Sequence, residues 1–449
     1  MIIRLKNYLH LVWLQIISEE IIHTMNILVI GNGGREHALC YGIKKSSSCN
    51  NLFCIPGSDG IGQLANCFNI QISNHALILN FCIKNKIDLV VIGPEIPLTE
   101  GLSDYLEANS VLTFGPSKAG AELENSKKFT KDICKKLNIP TASYVTFDNH
   151  RESMEYLNSC SFPLVIKADG LAAGKGVIIC HSINDALEAI NKCFNDKAFG
   201  IAGSRIVIEE FLEGEEVSLF ALVDNTGFVL PLITAQDHKK ILEGEKGLNT
   251  GGMGSYAPVP SITKTKMIDL SNQFVLPIVE FLKKENINFK GMFYAGLIFT
   301  KNGPQLLEIN VRFGDPETQA IIPLLESDLL HLLYSSASGK LKEIKDIKLN
   351  DKFSMSVVMA SKGYPENFKK LTEIKNIQNL ELSNKDYLFH AGTKFENNKW
   401  LSNGGRVLNF THTGEDLTKI RANIHKMIKK ISWEEGYYRK DIGWRYIDD

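Results

Sequence analysis

From residue 25 onward the chain alternates short runs of aliphatic and β-branched residues with longer amphipathic stretches, and no other feature restricts its fold as strongly. A strand that is apolar along its whole length must be covered on both faces, and a helix-length connection brings the next strand back parallel to it. The clearest such runs are 27–30, 52–55 and 89–92, which predicts a mostly parallel sheet built from βαβ units. The 449 residues suffice for two to four domains of roughly 100–200 residues each. Residues 1–24 stand apart. Their apolar run is broken by Gln15, followed by Glu19 and Glu20, and leads to no small-residue cleavage site, so neither a signal peptide, a transit peptide nor a bilayer span is indicated. Met25 is the expected natural start, with residues 1–24 a disordered or loosely helical extension.

Composition excludes several classes. With 44% hydrophobic and 22% charged residues and a net charge of −1, the chain is neither disordered nor built to coat a polyanion, and no nucleic-acid partner is expected. Nine cysteines without C-x-x-C spacing and eleven histidines without H-x-x-x-H spacing indicate reduced thiols in a cytosol, with neither a disulfide framework nor a zinc site.

Two glycine-rich turns invite a phosphate. The stretch KADGLAAGKGVII at 167–179 is not a nucleoside-triphosphatase P-loop, because Gly170 and Gly174 are too close and Gly176 stands where a magnesium-binding hydroxyl belongs. The β-branched residues after it read as a strand, so a hairpin turn is expected, either laid over phosphates or free of any ligand. The turn GNGGREHAL places Gly31, Gly33 and Gly34 before a helix, but Glu36 replaces the third glycine of the dinucleotide fingerprint. A nicotinamide dehydrogenase is thereby the weaker reading; a phosphorylated sugar or no ligand at all stays open. Glu95, in GPEIPL, lies beyond the carboxyl end of the third strand, the usual ligand side of such a sheet.

The middle of the chain discriminates further. In IVIEEFLEGEEVS, Glu209 and Glu210 followed by Phe211 and Leu212 can offer backbone groups and an apolar wall to an adenine, and Glu216 can accept from ribose hydroxyls; an acidic surface loop is the alternative. In LLEINVRFGDPETQ, Glu308 and Asn310 are two apart on a strand and share one face, as hard oxygen donors suited to magnesium bridging nucleotide phosphates. Arg312 continues that face. The C-terminal region shows strands near 357–359, 389–390 and 406–410 with 403–405 as a hairpin turn between two of them, and no strong site of its own; His390 and Arg439 receive no role.

Together GNGGREHAL, GPEIPL, FGPS, KKFTKD, IKADGLAAGKGV, IEEFLEGEE, QDHK, NTGGMG, YAGL, EINVRFGDPETQ, HAGT, NGGRV and RKDIGWR resemble, in that order, the glycinamide ribonucleotide synthetase family of ATP-grasp ligases. The resemblance implies an α/β protein with a Rossmann-like parallel-sheet domain at 25–126, a two-lobed ATP-grasp unit at 127–338 with its lid lobe at about 145–213, and a small α+β domain at 339–449. It further implies ATP and Mg2+ or Mn2+ as cofactors, glycine and 5-phosphoribosylamine as substrates, and a cytoplasmic monomer of purine biosynthesis without membrane or nucleic-acid partners.

Residue by residue, the resemblance assigns Lys131 and Lys167 to the ATP phosphates, Glu209, Phe211 and Leu212 to adenine, and Glu216 to ribose. Glu308 and Asn310 would bind the metal, Gly33, Gly34, Glu95 and Pro97 would bound the phosphoribosylamine site, and Asp237 and Arg312 would face the reacting groups. Ser58 departs from the family's usual asparagine, which puts any sugar contact of that side chain in doubt. The implied chemistry is phosphorylation of the glycine carboxylate to glycyl phosphate followed by attack of the amine. A bicarbonate-dependent ATP-grasp carboxylase and a non-catalytic nucleotide sensor are the other readings of the same lid; the first lacks GNGGREH with RFGDPETQ, and the second has no need of a metal pair.

Overall fold

The computed structural model describes residues 24–172 and 176–447; the N-terminal extension up to residue 23 and the tip of the glycine-rich turn, 173–175, lie outside the described residues. The first sheet is parallel throughout and runs Asn66–Cys67, Cys49–Pro56, Met25–Gly31, Leu89–Ile92, Thr113–Phe114. Its central strands are buried because helices cover both faces, as the uninterrupted apolar runs require. The order of connection reverses between Met25–Gly31 and Leu89–Ile92, so the crevice beyond Gly31 and Gly93 is the topological switch point.

Four antiparallel strands form the lid lobe, in the order Tyr144–Phe147, Ile206–Glu210, Leu164–Ala168, Val177–Cys180. Leu164, Ile166, Ala168, Ile206 and Ile208 turn one face of this sheet toward a small core completed by Ala186, Ile190 and Cys193. Those last three lie on the helix Ile183–Phe194, whose start is fixed by reciprocal bonds between Ser182 and Asp185. The period of two then sends Val165, Lys167 and Glu209 to the opposite face, into the cleft between the lobes.

A nine-stranded sheet makes up most of the remainder, with the path Gly303–Asn310, Gly291–Thr300, Glu215–Val223, Val229–Asp237, Gly254–Ala257, Phe353–Ser361, Arg406–Gly414, Asp386–His390, and Gly436–Tyr437 beside Phe353–Ser361. Gly254–Ala257 pairs with Val229–Asp237 on one side and Phe353–Ser361 on the other. The C-terminal strands therefore extend the sheet of the second ATP-grasp lobe. The turn at 403–405 does not join two strands of this sheet as a hairpin: it leads from Lys399–Ser402, in a separate three-stranded sheet, into Arg406–Gly414. The crossing is tight because Gly404 packs on Gly392, where a Cβ at Gly404 would stand 3.1 Å from the Gly392 Cα. No helix among the described residues is long and apolar enough to cross a membrane.

Candidate active site

A cavity of about 630 Å3 opens where the lid lobe, the second ATP-grasp lobe, the parallel-sheet domain and the C-terminal strands meet. Its upper part is a buried charge triad. Lys131, from the helix Lys127–Leu137, and Lys167, from the strand Leu164–Ala168, place Nζ 3.0 and 2.9 Å from the same oxygen, Glu209 Oε2. Lys131 also donates to Thr141 Oγ1 and the Ala142 carbonyl. Burial pulls the Lys131 pKa down, against the pull of the Glu209 carboxylate. The other carboxylate oxygen, Glu209 Oε1, is buried without a hydrogen-bond partner, which costs energy unless something in the cavity donates to it. Val165, Val177, Ile179, Phe211, Leu212 and Ile298 add an apolar wall, and Glu216 stands at its edge.

Glu308 and Asn310 end the strand Gly303–Asn310, paired with Gly296 and Tyr294, and both line the cavity. Lys239 bridges this strand to Glu216, with Nζ 3.4 Å from Glu308 Oε1 and 3.0 Å from Glu216 Oε2. The Lys239 ammonium holds the Glu308 carboxyl down at about 2, outweighing burial. Arg312, just past the strand, donates to Asn310 Oδ1 at 3.3 Å and to Glu95 Oε2 at 3.1 Å, and pairs with Glu124 Oε1 at 2.9 Å. Burial alone would raise the Glu95 pKa, but Arg312 and Arg35 hold it at about 2. Glu124 is more deeply buried, and there desolvation wins over Arg312 and shifts its pKa upward. Asp237 lies in the same cavity; burial, then the neighbouring Glu317 carboxylate, push its pKa well up.

Three expected site residues do not line the cavity: Gly33, Gly34 and Pro97. The Gly33 N–H donates to Glu36 Oε2 at 2.7 Å instead of standing free for a ligand. A Cβ at Gly34 would fall 2.4 Å from Asn409 Nδ2 and 2.6 Å from Gln319 Nε2, so this glycine permits close packing on the C-terminal strands. Pro97 is buried in the helix Glu95–Glu100. Glu36, in the place of the third fingerprint glycine, fills the switch-point crevice: a Cβ at Gly31 or Gly93 would lie 2.5 or 2.1 Å from its side chain. A dinucleotide pyrophosphate has no room there.

Other cavity residues escape a reading by motif. The C-terminal region lends Tyr364, Arg406, Trp444 and Arg445 to the wall. Arg406 donates to the carbonyls of Gly251 and Asp315 and pairs with the Asp315 carboxylate at 3.3 Å, tying the loop at 250–252 to the segment after the strand Gly303–Asn310. Arg35, Glu124, Lys127, Lys239 and Glu317 also line the cavity. Arg35, Lys127, Lys239 and Glu317 stand inside motifs of the family resemblance and Glu124 on the helix Lys118–Asn125, and a charge in such a place does not separate a site residue from a surface one.

The family comparison bears on all three parts of this cavity. Residues 25–124, 125–318 and 354–445 match, respectively, the N domain, the ATP-grasp (A) domain and the C domain of phosphoribosylglycinamide synthetase. The chain belongs to the phosphoribosylglycinamide synthetase family. A relative from Brucella melitensis named phosphoribosylamine–glycine ligase is 43% identical over 94% of this chain and 99% of its own length. The crystal structure of the phosphoribosylamine–glycine ligase of Thermotoga maritima superposes with a TM-score of 0.79 at 31% identity, covering 93% of this chain and all of that one (100%). The biotin carboxylase domain of the Hydrogenobacter thermophilus 2-oxoglutarate carboxylase, described in complex with MgADP, shares the fold alone, at 14% identity and a TM-score of 0.72 over 92% of both chains.

For a synthetase of this family the donor set fits a magnesium ion shared with a nucleotide. Among the described residues no group of three or more His, Cys, Asp or Glu side chains could cage a metal. One carboxylate and one amide oxygen, Glu308 and Asn310, suit an ion that takes its other ligands from phosphates and water.

Proposed function

We propose that the chain joins glycine to 5-phosphoribosylamine with ATP, giving glycinamide ribonucleotide, ADP and phosphate, as a cytoplasmic monomer of de novo purine (IMP) synthesis. Residues 25–126 hold the phosphosugar amine, 127–338 the nucleotide and 339–449 complete the cavity wall. The observation that carries this reading is Arg312, which links the metal strand through Asn310 to the parallel-sheet domain through Glu95. A site that only hydrolysed or sensed a nucleotide has no need to fasten its metal strand to a second ligand domain.

Lys131 and Lys167 take the triphosphate charge in place of Glu209 Oε2. Glu209 Oε1, buried and partnerless, accepts from the exocyclic amine of adenine against Phe211 and Leu212, while Glu216 accepts from ribose. Glu308 and Asn310 hold Mg2+ or Mn2+, which when bound offsets charge on the phosphoryl oxygens. Glu95, with Gly33, Gly34 and Pro97 shaping its surroundings, bounds the phosphoribosylamine, and Asp237 and Arg312 face the reacting groups.

Glycine carboxylate is a poor electrophile, so its oxygen first attacks the γ-phosphorus and the bond to the β-phosphate bridging oxygen breaks, releasing ADP. The amine nitrogen then attacks the acyl carbon of glycyl phosphate; the C–O bond breaks, phosphate leaves and the amine loses a proton. The chain contributes position and fixed positive charge, with Arg312 and the two lysines held in place before the substrates arrive. Glycine carrying oxygen-18 in both carboxylate oxygens tests the route: mass spectrometry should find one labelled oxygen in each phosphate released. Unlabelled phosphate during sustained turnover excludes the acyl phosphate, and ADP release that responds to bicarbonate instead of glycine excludes the substrate.

A further inference from the structure

The hairpin Lys240–Leu242/Lys246–Asn249 pairs only with itself, yet Lys240, Glu245 and Asn249 line the nucleotide cavity and Lys239, at its base, bridges Glu216 and Glu308. An isolated two-stranded ribbon is marginal in water, so something else must fix it. The fixing contacts come from the C-terminal segment 439–446. Arg439 is 0% exposed and uses its whole fork: Nη1 donates to the Lys240 carbonyl at 3.0 Å, Nη2 to Glu245 Oε1 at 2.7 Å, and Nε and Nη2 to Asp441 at 2.8 Å each. Asp441 Oδ2 in turn accepts from the N–H of Gly244 at the hairpin tip, at 2.8 Å. The Lys440 N–H donates to Glu243 Oε1, and the Gly443 N–H to His238 Nε2, one residue before Lys239.

We propose that Arg439 is a positioning residue of the nucleotide site, and that the C-terminal segment 439–446 acts as a strap holding the 240–249 hairpin, and with it Lys239, against the ribose and metal side chains. The proposal rests on the ligase reading above. Neither Arg439 nor Asp441 lines the cavity, so any effect of their substitution on nucleotide binding must travel through the hairpin they hold or through Trp444 and Arg445 farther along the strap. Lysine cannot replace this arginine, because one ammonium reaches neither the carbonyl and both carboxylates together nor their planar arrangement.

The test uses the full chain, MgADP as the probe in titration calorimetry, and the variants Arg439→Lys and Asp441→Ala. Each should weaken MgADP at least tenfold and speed tryptic cleavage at Lys246, with the KM for glycine moving less than twofold and the urea midpoint of the whole protein nearly constant. The double variant should be little worse than either single one, since both cut the same strap. If Arg439→Lys fails to fold, Asp441→Ala decides alone. Unmoved MgADP affinity and cleavage in a folded variant would overturn the proposal, as would an equal loss for MgADP and glycine together with a lowered urea midpoint, the mark of a general structural role. Wild-type protein that binds no MgADP would overturn the ligase reading as well, whereas wild-type binding with unmoved variants overturns the strap alone.

Discussion

The charge triad above the cavity allows its occupant to be tested without turnover. Lys131, Lys167 and Glu209 have side chains 4%, 9% and 2% exposed, and both ammonium groups depend on a single carboxylate oxygen. Glu209→Gln keeps the shape and one acceptor but removes the negative charge that two buried cations share. Breaking a buried ion pair by removing one partner costs about 3–5 kcal/mol, and the retained amide places this change near the lower end. About 3 kcal/mol corresponds to roughly a hundredfold faster hydrogen exchange for the amides of Leu164–Ala168 and Ile206–Glu210, which carry Lys167 and Glu209.

With a non-hydrolysable MgATP analogue at saturation, the triphosphate supplies the missing charge. The loss should then shrink to about 1 kcal/mol, an ordinary hydrogen bond, or roughly fivefold in exchange rate. The assay is exchange measured by mass spectrometry on wild type and variant, each with and without nucleotide. An equal acceleration in both conditions would falsify the placement of the phosphates at these lysines. No acceleration in either would show that the triad does not hold the lid strands in place.

Three further outcomes are expected. Lys167→Ala should raise the KM for ATP by about 10- to 150-fold, the equivalent of about 1.5–3 kcal/mol for a hydrogen bond to a charged group, with little change for phosphoribosylamine; steady-state kinetics with each substrate varied in turn checks it. Glu308→Gln and Asn310→Ala should fold but need more magnesium, and unchanged metal titrations with normal turnover would remove the ion from this strand. Burial lowers the pKa of His37 to about 4 and of His238 and His390 to about 3, from an ordinary 6.5. Below pH 6.5 the unfolded chain therefore takes up protons that the folded chain refuses, so the stabilisation present above that pH is lost as the pH falls toward 4. The loss reaches about 1.4 kcal/mol per pH unit for each histidine, and urea midpoints between pH 7 and 4.5 measure it.

Periodicity made much of the scaffold readable. The runs at 27–30, 52–55 and 89–92 fall inside buried parallel strands because an apolar strand has no stable alternative to burial on both faces. Glu308 and Asn310 were legible as a pair for the same geometric reason, being two apart on one strand. Glu36 shows where such reasoning stops. Its substitution for a glycine signalled a broken fingerprint, but only the fold shows the side chain seated over Gly31 and Gly93, two glycines that are neighbours in space and not in sequence. Arg406 and Arg439 were equally hidden: each acts through backbone carbonyls of loops far earlier in the chain, which no local pattern encodes. Glu209, expected at the adenine, is the counter-ion of both lysines, a role set by which strands lie side by side.

Arg312 explains why the parallel-sheet domain and the ATP-grasp lobes work as one unit. An acyl phosphate in water is lost to hydrolysis unless the amine already stands beside it, so the enzyme gains from making activation depend on the amine's domain being docked. Arg312 donates at once to Asn310 on the strand Gly303–Asn310 and to Glu95 of the parallel-sheet domain, and pairs with Glu124 of that same domain. Because its guanidinium is planar and always charged, moving Glu95 away strips Nε of its partner and leaves Glu124 as the one carboxylate on the fork that also holds the Asn310 amide. The depressed pKa of Glu95 has the same origin as this coupling, since the arginine that holds its carboxylate ionised also donates to Asn310, the proposed metal ligand. On the ligase reading proposed above, the strand that would carry the metal and the domain that would present the amine meet at this one side chain.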